Sequence, residues 1–200
     1  MTTRLDRRHF LASSAALALT AALPTQALAV TPQEGAALVN RAVAEINAVI
    51  ASGKSEAAMI NDFATIFDRY ADTAYVASYA LGNDRRRATP AQIQQFIAAF
   101  RGYVARKYGR RFREFIGGEI RVEGARTVNS WVEVQTTTFL RGQSPIRVDF
   151  HVSDRPGRPV FFNLIIEGVN MLLSERTEVG AMLDRRGGNI DQLIADLSRL

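Results

Sequence analysis

The stretch V-F-F-N-L-I-I-E-G-V-N-M-L-L-S-E-R, from Val160 to Arg176, limits the fold most strongly, because an apolar run turns there into a helical pattern. Phe161, Phe162, Leu164, Ile165 and Ile166 are aromatic, β-branched or aliphatic, and the run is short enough to be one strand. Because the run is apolar on both faces, such a strand needs cover on both sides. Gly168 lets the backbone bend, and Asn170 is a good N-cap for a helix beginning just after it. Glu167 is expected to cap backbone amides in that turn. Met171, Leu172, Val179, Met182 and Leu183 then fall roughly at helical spacing, so the chain leaves a sheet and folds a helix back across it.

The N-terminal residues 1–29 have a different character. Arg4, Arg7 and Arg8 form a positive start, Leu11 to Leu23 is an alanine-rich apolar core, and Ala27-Leu28-Ala29 has the small-x-small form of a cleavage site. This is the pattern of a signal peptide. Its core is shorter than the roughly 20 residues a spanning helix needs. Asp6-Arg7-Arg8-His9-Phe10-Leu11-Ala12 resembles the twin-arginine export motif, although an ordinary secretory signal also starts with basic residues. Either route leads beyond the inner membrane, most simply to the periplasm. The expected product is one domain, Val30 to Leu200, with room for a substantial core.

The chain has no cysteine, which rules out disulfides and thiolate metal sites, so its stability must come from packing. The formal charge is +5, and Lys54 and Lys107 are the only lysines among 25 basic residues. The preference for arginine fits either genomic composition or a surface that meets phosphates, where a planar guanidinium is useful.

Thr31-Pro32-Gln33-Glu34 is a capping box with proline at the first helical position. A helix with Leu38, Val39, Ala42, Val43, Ile46, Val49 and Ile50 on its buried face should begin there and stop at Gly53. Ser55 and Asp72 are caps for two more helices, and Thr89-Pro90-Ala91-Gln92 repeats the capping box at the head of a fourth. In that helix Ile93, Phe96, Ile97, Phe100 and Val104 keep i, i+3, i+4 spacing. Its basic end, Arg106 to Arg113, suits the negative end of the helix dipole. Past Gly117-Gly118 the period becomes two, in Ile120 and Val122, Val132 and Val134, and Ile146, Val148, Phe150 and Val152. With turns at Glu123-Gly124, Arg141-Gly142 and Arg155-Pro156-Gly157, this predicts a meander of four strands. Asn189 should cap a last helix carrying Ile190, Leu193, Ile194 and Leu197.

Enzyme signals are weak. His151 is the one histidine after the signal, on the polar side of a strand with Arg147 and Asp149. That placement suits a solvated face better than an acid–base pair, and no nucleophile motif, phosphate loop or metal-ligand cluster accompanies it. The export signal argues against nucleic acid as a partner, despite arginines alternating with aromatics between Arg101 and Arg113. The remaining clue is an excess of aromatic and aliphatic groups over what one sheet face needs. It fits either a well-packed core or an uncharged cavity between sheet and helices.

Several motifs, in order, resemble one family. Asp62-Phe63, Leu81-Gly82, Arg87-Ala88-Thr89-Pro90-Ala91-Gln92 with Phe96 and Phe100, and the tail Ile165-Ile166-Glu167-Gly168-Val169-Asn170-Met171 are similar to elements of the MlaC family, the periplasmic phospholipid-binding proteins of the Mla pathway. So are Arg176 and the closing Gly187-Gly188-Asn189-Ile190-Asp191-Gln192-Leu193-Ile194. The chain departs from the family pattern at Asn163, where aspartate is usual, at Phe161-Phe162, at Glu175, where tyrosine is common, and at Asn170, which replaces serine.

The patterned helices and strands complete an α+β domain, and the resemblance implies helices packed on a twisted four-stranded antiparallel sheet with an apolar pocket between them. It also implies a non-enzymatic phospholipid carrier, an auxiliary component of an ABC transporter, that maintains outer-membrane lipid asymmetry. The implied partners are phospholipid, an inner-membrane MCE-domain ABC transporter complex and an outer-membrane lipoprotein complex, with no cofactor and no metal. A sterol, hopanoid or quinone is the alternative ligand, and an exported hydrolase using His151 and Asp149 is a third reading. From periodicity, the expected lining is Phe63, Phe67, Tyr75, Phe96, Phe100, Val134, Val148, Phe150, Phe162, Leu164 and Ile166, with Arg87 or Arg147 meeting the headgroup phosphate.

Overall fold

The computed structural model describes residues 29–110 and 118–200. The expected signal peptide, apart from Ala29, lies outside the described residues, as do Arg111, Phe112 and Arg113 of the basic stretch and Gly117 of the glycine pair.

Both capping boxes form. Ahead of α1 (Pro32–Ala51), Thr31 Oγ1 accepts the Glu34 amide at 3.2 Å while the Glu34 carboxylate accepts the Thr31 amide at 2.8 Å. Thr89 and Gln92 repeat the arrangement ahead of α4 (Pro90–Gly109). Between them, Ser55 caps α2 (Glu56–Tyr70) and Asp72 caps α3 (Thr73–Leu81). Gly82, at φ 65°, ends α3, and a 3₁₀ turn, Gly82–Arg86, follows.

The sheet runs in chain order through β1 (Glu119–Val128), β2 (Trp131–Phe139), β3 (Ile146–Ser153), β4 (Val160–Ile166) and β5 (Val169–Asn170), all antiparallel. The two-residue β5 is a fifth strand beyond the four expected. Glu123-Gly124 is not a turn: the β1–β2 register shifts between Val122 and Gly124, so a bulge bends the strand, which continues to Val128. Glycine in a strand marks a bulge as readily as a turn. The hairpin reverses instead at Asn129, whose φ of 53° is one that asparagine tolerates.

The turn from β4 into α5 (Met171–Arg185) is built from side-chain acceptors. Glu167 and Gly168 take φ of 48° and 79°, and the Glu167 carboxylate accepts the Arg147 amide, which ties the turn to β3. Asn170 Oδ1 accepts the Leu173 amide at 3.1 Å, and Asn163 Oδ1 accepts those of Leu164 at 2.9 Å and Leu172 at 3.0 Å. Two asparagines therefore satisfy amides that the first turn of a helix leaves without partners. An oxygen of aspartate could accept as Asn163 does, so this departure from the family pattern costs the turn nothing. β4 is covered on both sides, as its composition requires: Phe161 meets Phe67 and Phe150, while Phe162 meets Tyr75 and Trp131.

α1 crosses β1 and β2, α2 packs on α1 and α4, α5 on α3 and β4, and α6 (Ile190–Arg199) on α4. Among the described residues, Arg106, Lys107 and Arg110 at the basic end of α4 make internal contacts. Arg106 Nη2 donates to the Leu197 carbonyl at 2.7 Å, Arg110 Nη2 to that of Leu200, and Lys107 reaches two carboxylates of α5. Among the described residues no helix is long and apolar enough to cross a membrane.

α1 sits close to the sheet because Gly35 has no side chain, and a Cβ there would lie 2.7 Å from Val132 Cγ1. Gly35→Leu should therefore overpack the interface and cost roughly 1–3 kcal/mol. Thermal unfolding reads this as a fall of several degrees, while Gly142→Ala, whose Cβ would meet nothing, changes only the strain of its φ of 72°.

Candidate functional site: an apolar cavity under the sheet

A cavity of about 170 Å³ lies between β3–β4 and the helices. Phe63, Ile66 and Phe67 enter it from α2, at the i, i+3, i+4 spacing that places three side chains on one helix face. α1 contributes Ile46, α3 Val76, α4 Val104 and Tyr108, and α5 Met171, Leu172 and Glu175. Phe150 of β3 and Phe161, Phe162, Asn163, Leu164 and Ile166 of β4 complete the wall. The surface is almost wholly hydrocarbon.

Six of the residues expected from periodicity therefore line the cavity: Phe63, Phe67, Phe150, Phe162, Leu164 and Ile166. Five do not. Phe96 and Phe100 are fully buried and stack on each other at 5.8 Å, inside the helical core. The reason lies in helix geometry, since each four-residue step along α4 turns the stripe by about 40°. Phe96 and Phe100 thus face the interior, while Val104 and Tyr108, further along the stripe, reach the cavity. Val134 lies directly under α1 beside Gly35, which leaves no space over it. Val148 is half-buried and packs against the core, outside the cavity wall. Tyr75 wraps round the outer side of β4, edge-on to Phe162 at 5.7 Å with the Arg155 guanidinium over its ring.

The expected headgroup arginines are engaged elsewhere. Arg87 Nε donates to Asp84 at 2.8 Å and its guanidinium lies against Gly188, and Arg147 forks onto Asp149 with two contacts of 3.0 Å. Neither lines the cavity. Arg176 also has a packing role, over the Tyr79 ring at 5.4 Å between α5 and α3.

The polar part of the site was not legible from spacing. Glu175, 3% exposed, accepts from Lys107 Nζ at 2.7 Å and from Tyr108 Oη at 2.5 Å, both on Oε1. Glu178 takes Lys107 at 2.5 Å and Tyr103 at 2.6 Å. Burial, with these carboxylates adding to it, pushes the Tyr103 and Tyr108 phenols well above their usual range, so both are protonated donors. Burial opposes the charge of Lys107, but hydrogen bonds to Glu175 and Glu178 outweigh it and hold its pKa above the usual lysine value.

His151 is not on a solvated face. It stacks near Trp131 at 5.6 Å and Phe162 at 5.9 Å, with its Nε2 3.8 Å from Glu133. Asp149, held by Arg147, makes no hydrogen bond to it among those described. Burial lowers the His151 pKa, only partly offset by the charges of Glu133 and Asp149. The unfolded chain then binds its proton first as pH falls, so stability is full above the ordinary histidine pKa of about 6.5 and declines below it. Wild type should lose more melting temperature between pH 7 and pH 5 than His151→Phe; equal losses would show that His151 is not desolvated.

Known proteins of like fold and sequence pattern place the chain. A phospholipid-binding protein from Ralstonia solanacearum, solved in complex with a phospholipid, superposes with a TM-score of 0.68 at 21% identity, over 82% of this chain and 99% of that one. At that identity the likeness speaks for the fold: helices on an antiparallel sheet. The family model described as MlaC protein matches residues 37–199, from the first turns of α1 to the end of α6, and so includes every wall of the cavity. A chain matched over that whole span, with this β4–α5 turn and an apolar cavity beneath its sheet, belongs to the MlaC family.

Proposed function

We propose that this protein is a periplasmic phospholipid carrier that takes acyl chains into the cavity between β3–β4 and the helices. The observation that carries the reading is the cavity itself, hydrocarbon-walled and set within the family match. The phospholipid complex of the Ralstonia solanacearum protein of like fold supports it. Moving two tails of about 15 methylenes each into water costs on the order of 25 kcal/mol, at about 0.8 kcal/mol per CH₂, so a carrier must cover most of both. The cavity, at about 170 Å³, is smaller than the roughly 300–1,000 Å³ of ordinary ligand sites. Its walls therefore part on loading, and contact with a partner at either membrane is the natural trigger.

In this reading residues 1–29 are a twin-arginine signal removed on export, and Val30–Leu200 shuttles lipid between an inner-membrane MCE-domain ABC transporter complex and an outer-membrane lipoprotein complex. It thereby helps keep phospholipid out of the outer leaflet. No bond is broken; the work is burial and release. Native mass spectrometry of mature protein purified from the periplasm without detergent tests this. A stoichiometric added mass that resolves into diacyl phospholipid is expected. A sterol, hopanoid or quinone would replace the ligand but keep the carrier, and folded protein that stays empty and takes nothing from vesicles would refute both.

A further inference from the structure

An open hollow of about 620 Å³ lies between the last turns of α5 and α6, lined by Met182, Arg185, Arg186, Asp196, Arg199 and Leu200. Arg186 donates to both oxygens of Asp196, at 2.6 and 2.9 Å, and Arg199 to one of them at 2.8 Å, so one carboxylate serves two guanidinium groups. Arg185 is exposed and makes no ion pair among the described residues, although Glu178 feels its charge. The 3₁₀ turn Gly82–Arg86 adds to this end of the molecule, because the Arg87 guanidinium just after it lies against Gly188, between α5 and α6. Arg87 pairs with Asp84, whereas Arg85 and Arg86 are exposed and have no hydrogen bond or ion pair among the described residues. Asp184 and Asp191 are the other acids here, and Asp191 accepts from Gln92 Nε2 at 2.9 Å. Positive charge is therefore in excess. The negative end of the α5 dipole accounts for Arg185 and Arg186, but not for a second run of arginines brought beside them.

We propose that this arginine end is a docking surface for an anionic lipid bilayer, whose phosphates meet the unpaired guanidinium groups of Arg85, Arg86 and Arg185. A guanidinium is a planar fork that engages phosphate oxygens two at a time. The surface also lacks the aromatic and large apolar anchors on which a protein interface depends. Among the described residues the exposed large apolar side chains are Val169, Leu173 and Leu200, and the first two belong to the distant β4–α5 turn. Docking here leaves the cavity clear. Glu175 of α5 is in the cavity wall, and Arg185 lies about 15 Å further along the same axis. α4 spans the same gap, with Tyr108 at the cavity and Thr89 beside the arginines. A carrier held this way waits at a membrane with its acyl chains still covered. The inference goes beyond the carrier reading and does not depend on what fills the cavity.

The test is co-sedimentation of mature protein, at low ionic strength, with vesicles of phosphatidylcholine alone and of phosphatidylcholine mixed with phosphatidylglycerol. Wild type should bind the phosphatidylglycerol vesicles about a hundredfold more tightly, at roughly fivefold for each of three arginines near a charged surface. Added salt should remove the difference, since it screens exposed charges. Arg85→Gln, Arg86→Gln and Arg185→Gln together should bring the two kinds of vesicle level, and the fold is kept because none of the three holds an ion pair. A control with equal loss of charge, Arg41→Gln, Arg141→Gln and Arg155→Gln, removes arginines exposed elsewhere and should keep most of the preference. Wild type that binds both vesicles equally overturns the proposal, and so does a control that falls as far as the first variant. Binding of wild type to polyglutamate but not to phosphatidylglycerol vesicles overturns it in favour of an acidic protein partner. Lipid carried per protein, read by native mass spectrometry before vesicles are added, should be the same in all three proteins. A loss confined to the first variant would tie these arginines to the cavity instead and overturn the docking role.

Discussion

Leu164→Asp is expected to leave the protein folded and nearly empty. Leu164 lines the cavity from β4 opposite Phe150, and it is only partly buried because it borders that open space, so the substitution leaves the packed core intact. An aspartate there puts a charge without a counterion where methylenes should lie. Desolvating such a charge against hydrocarbon costs several kcal/mol, so lipid loading from vesicles should fall by more than about a hundredfold. Circular dichroism should be unchanged, and lipid per protein, by extraction and mass spectrometry, is the readout. Loading at the wild-type level with the fold intact would show that lipid lies elsewhere.

Phe100→Ala should do the reverse. Phe100 is fully buried and meets Phe96 at 5.8 Å and Tyr103 at 6.1 Å, away from the cavity wall. Truncation there leaves a void in the helical core and costs about 3–5 kcal/mol. At roughly 2–4 °C per kcal/mol for a chain of this size, melting should drop by about 6–20 °C. The lipid range of protein that remains folded should stay the same. Phe63→Ala is the matched control, because Phe63 is in the cavity wall: it enlarges a space already present, so it should change the lipid taken up more than the melting temperature. If the two variants behave alike, the division between core and cavity is wrong.

Legibility in the residues alone depended on how local each signal was. The capping boxes at Thr31 and Thr89, the caps Ser55, Asp72, Asn170 and Asn189, and the period-two runs of β2 and β3 each depend on a few neighbouring residues, and all form as expected. Glu123-Gly124 failed as a turn because a bulge and a turn use the same residues, and only the partner strand decides between them. The cavity was half legible. Strand alternation identifies the inward face, which placed Phe150, Leu164 and Ile166 correctly at its wall. It does not say which helix lies above each position, so Val134, roofed by α1 at Gly35, was indistinguishable from a lining residue. The drift of the α4 stripe does separate Phe96 and Phe100 from Val104 and Tyr108, but only over the full length of the helix, since one turn is too short to show it.

Glu175 was legible only as a departure from the family pattern, because nothing in its spacing announces that Lys107 and Tyr108, far away in sequence, converge on it. His151 was misplaced for a similar reason: Trp131 and Phe162 come from neighbouring strands and turn a polar strand face into a half-buried one.

Whether acyl chains lie between β3–β4 and the helices can be read by photo-crosslinking. Mature protein would be loaded with a phospholipid bearing a diazirine in its acyl chain, irradiated, and the adducts mapped by peptide mass spectrometry. Chains held in the cavity should leave adducts on Phe63, Phe150, Leu164, Ile166 and Met171, drawn from α2, the two strands and α5. Adducts concentrated on the outer sheet face, at Trp131, Glu133 or His151, would put the lipid outside the cavity and overturn the carrier site proposed for it.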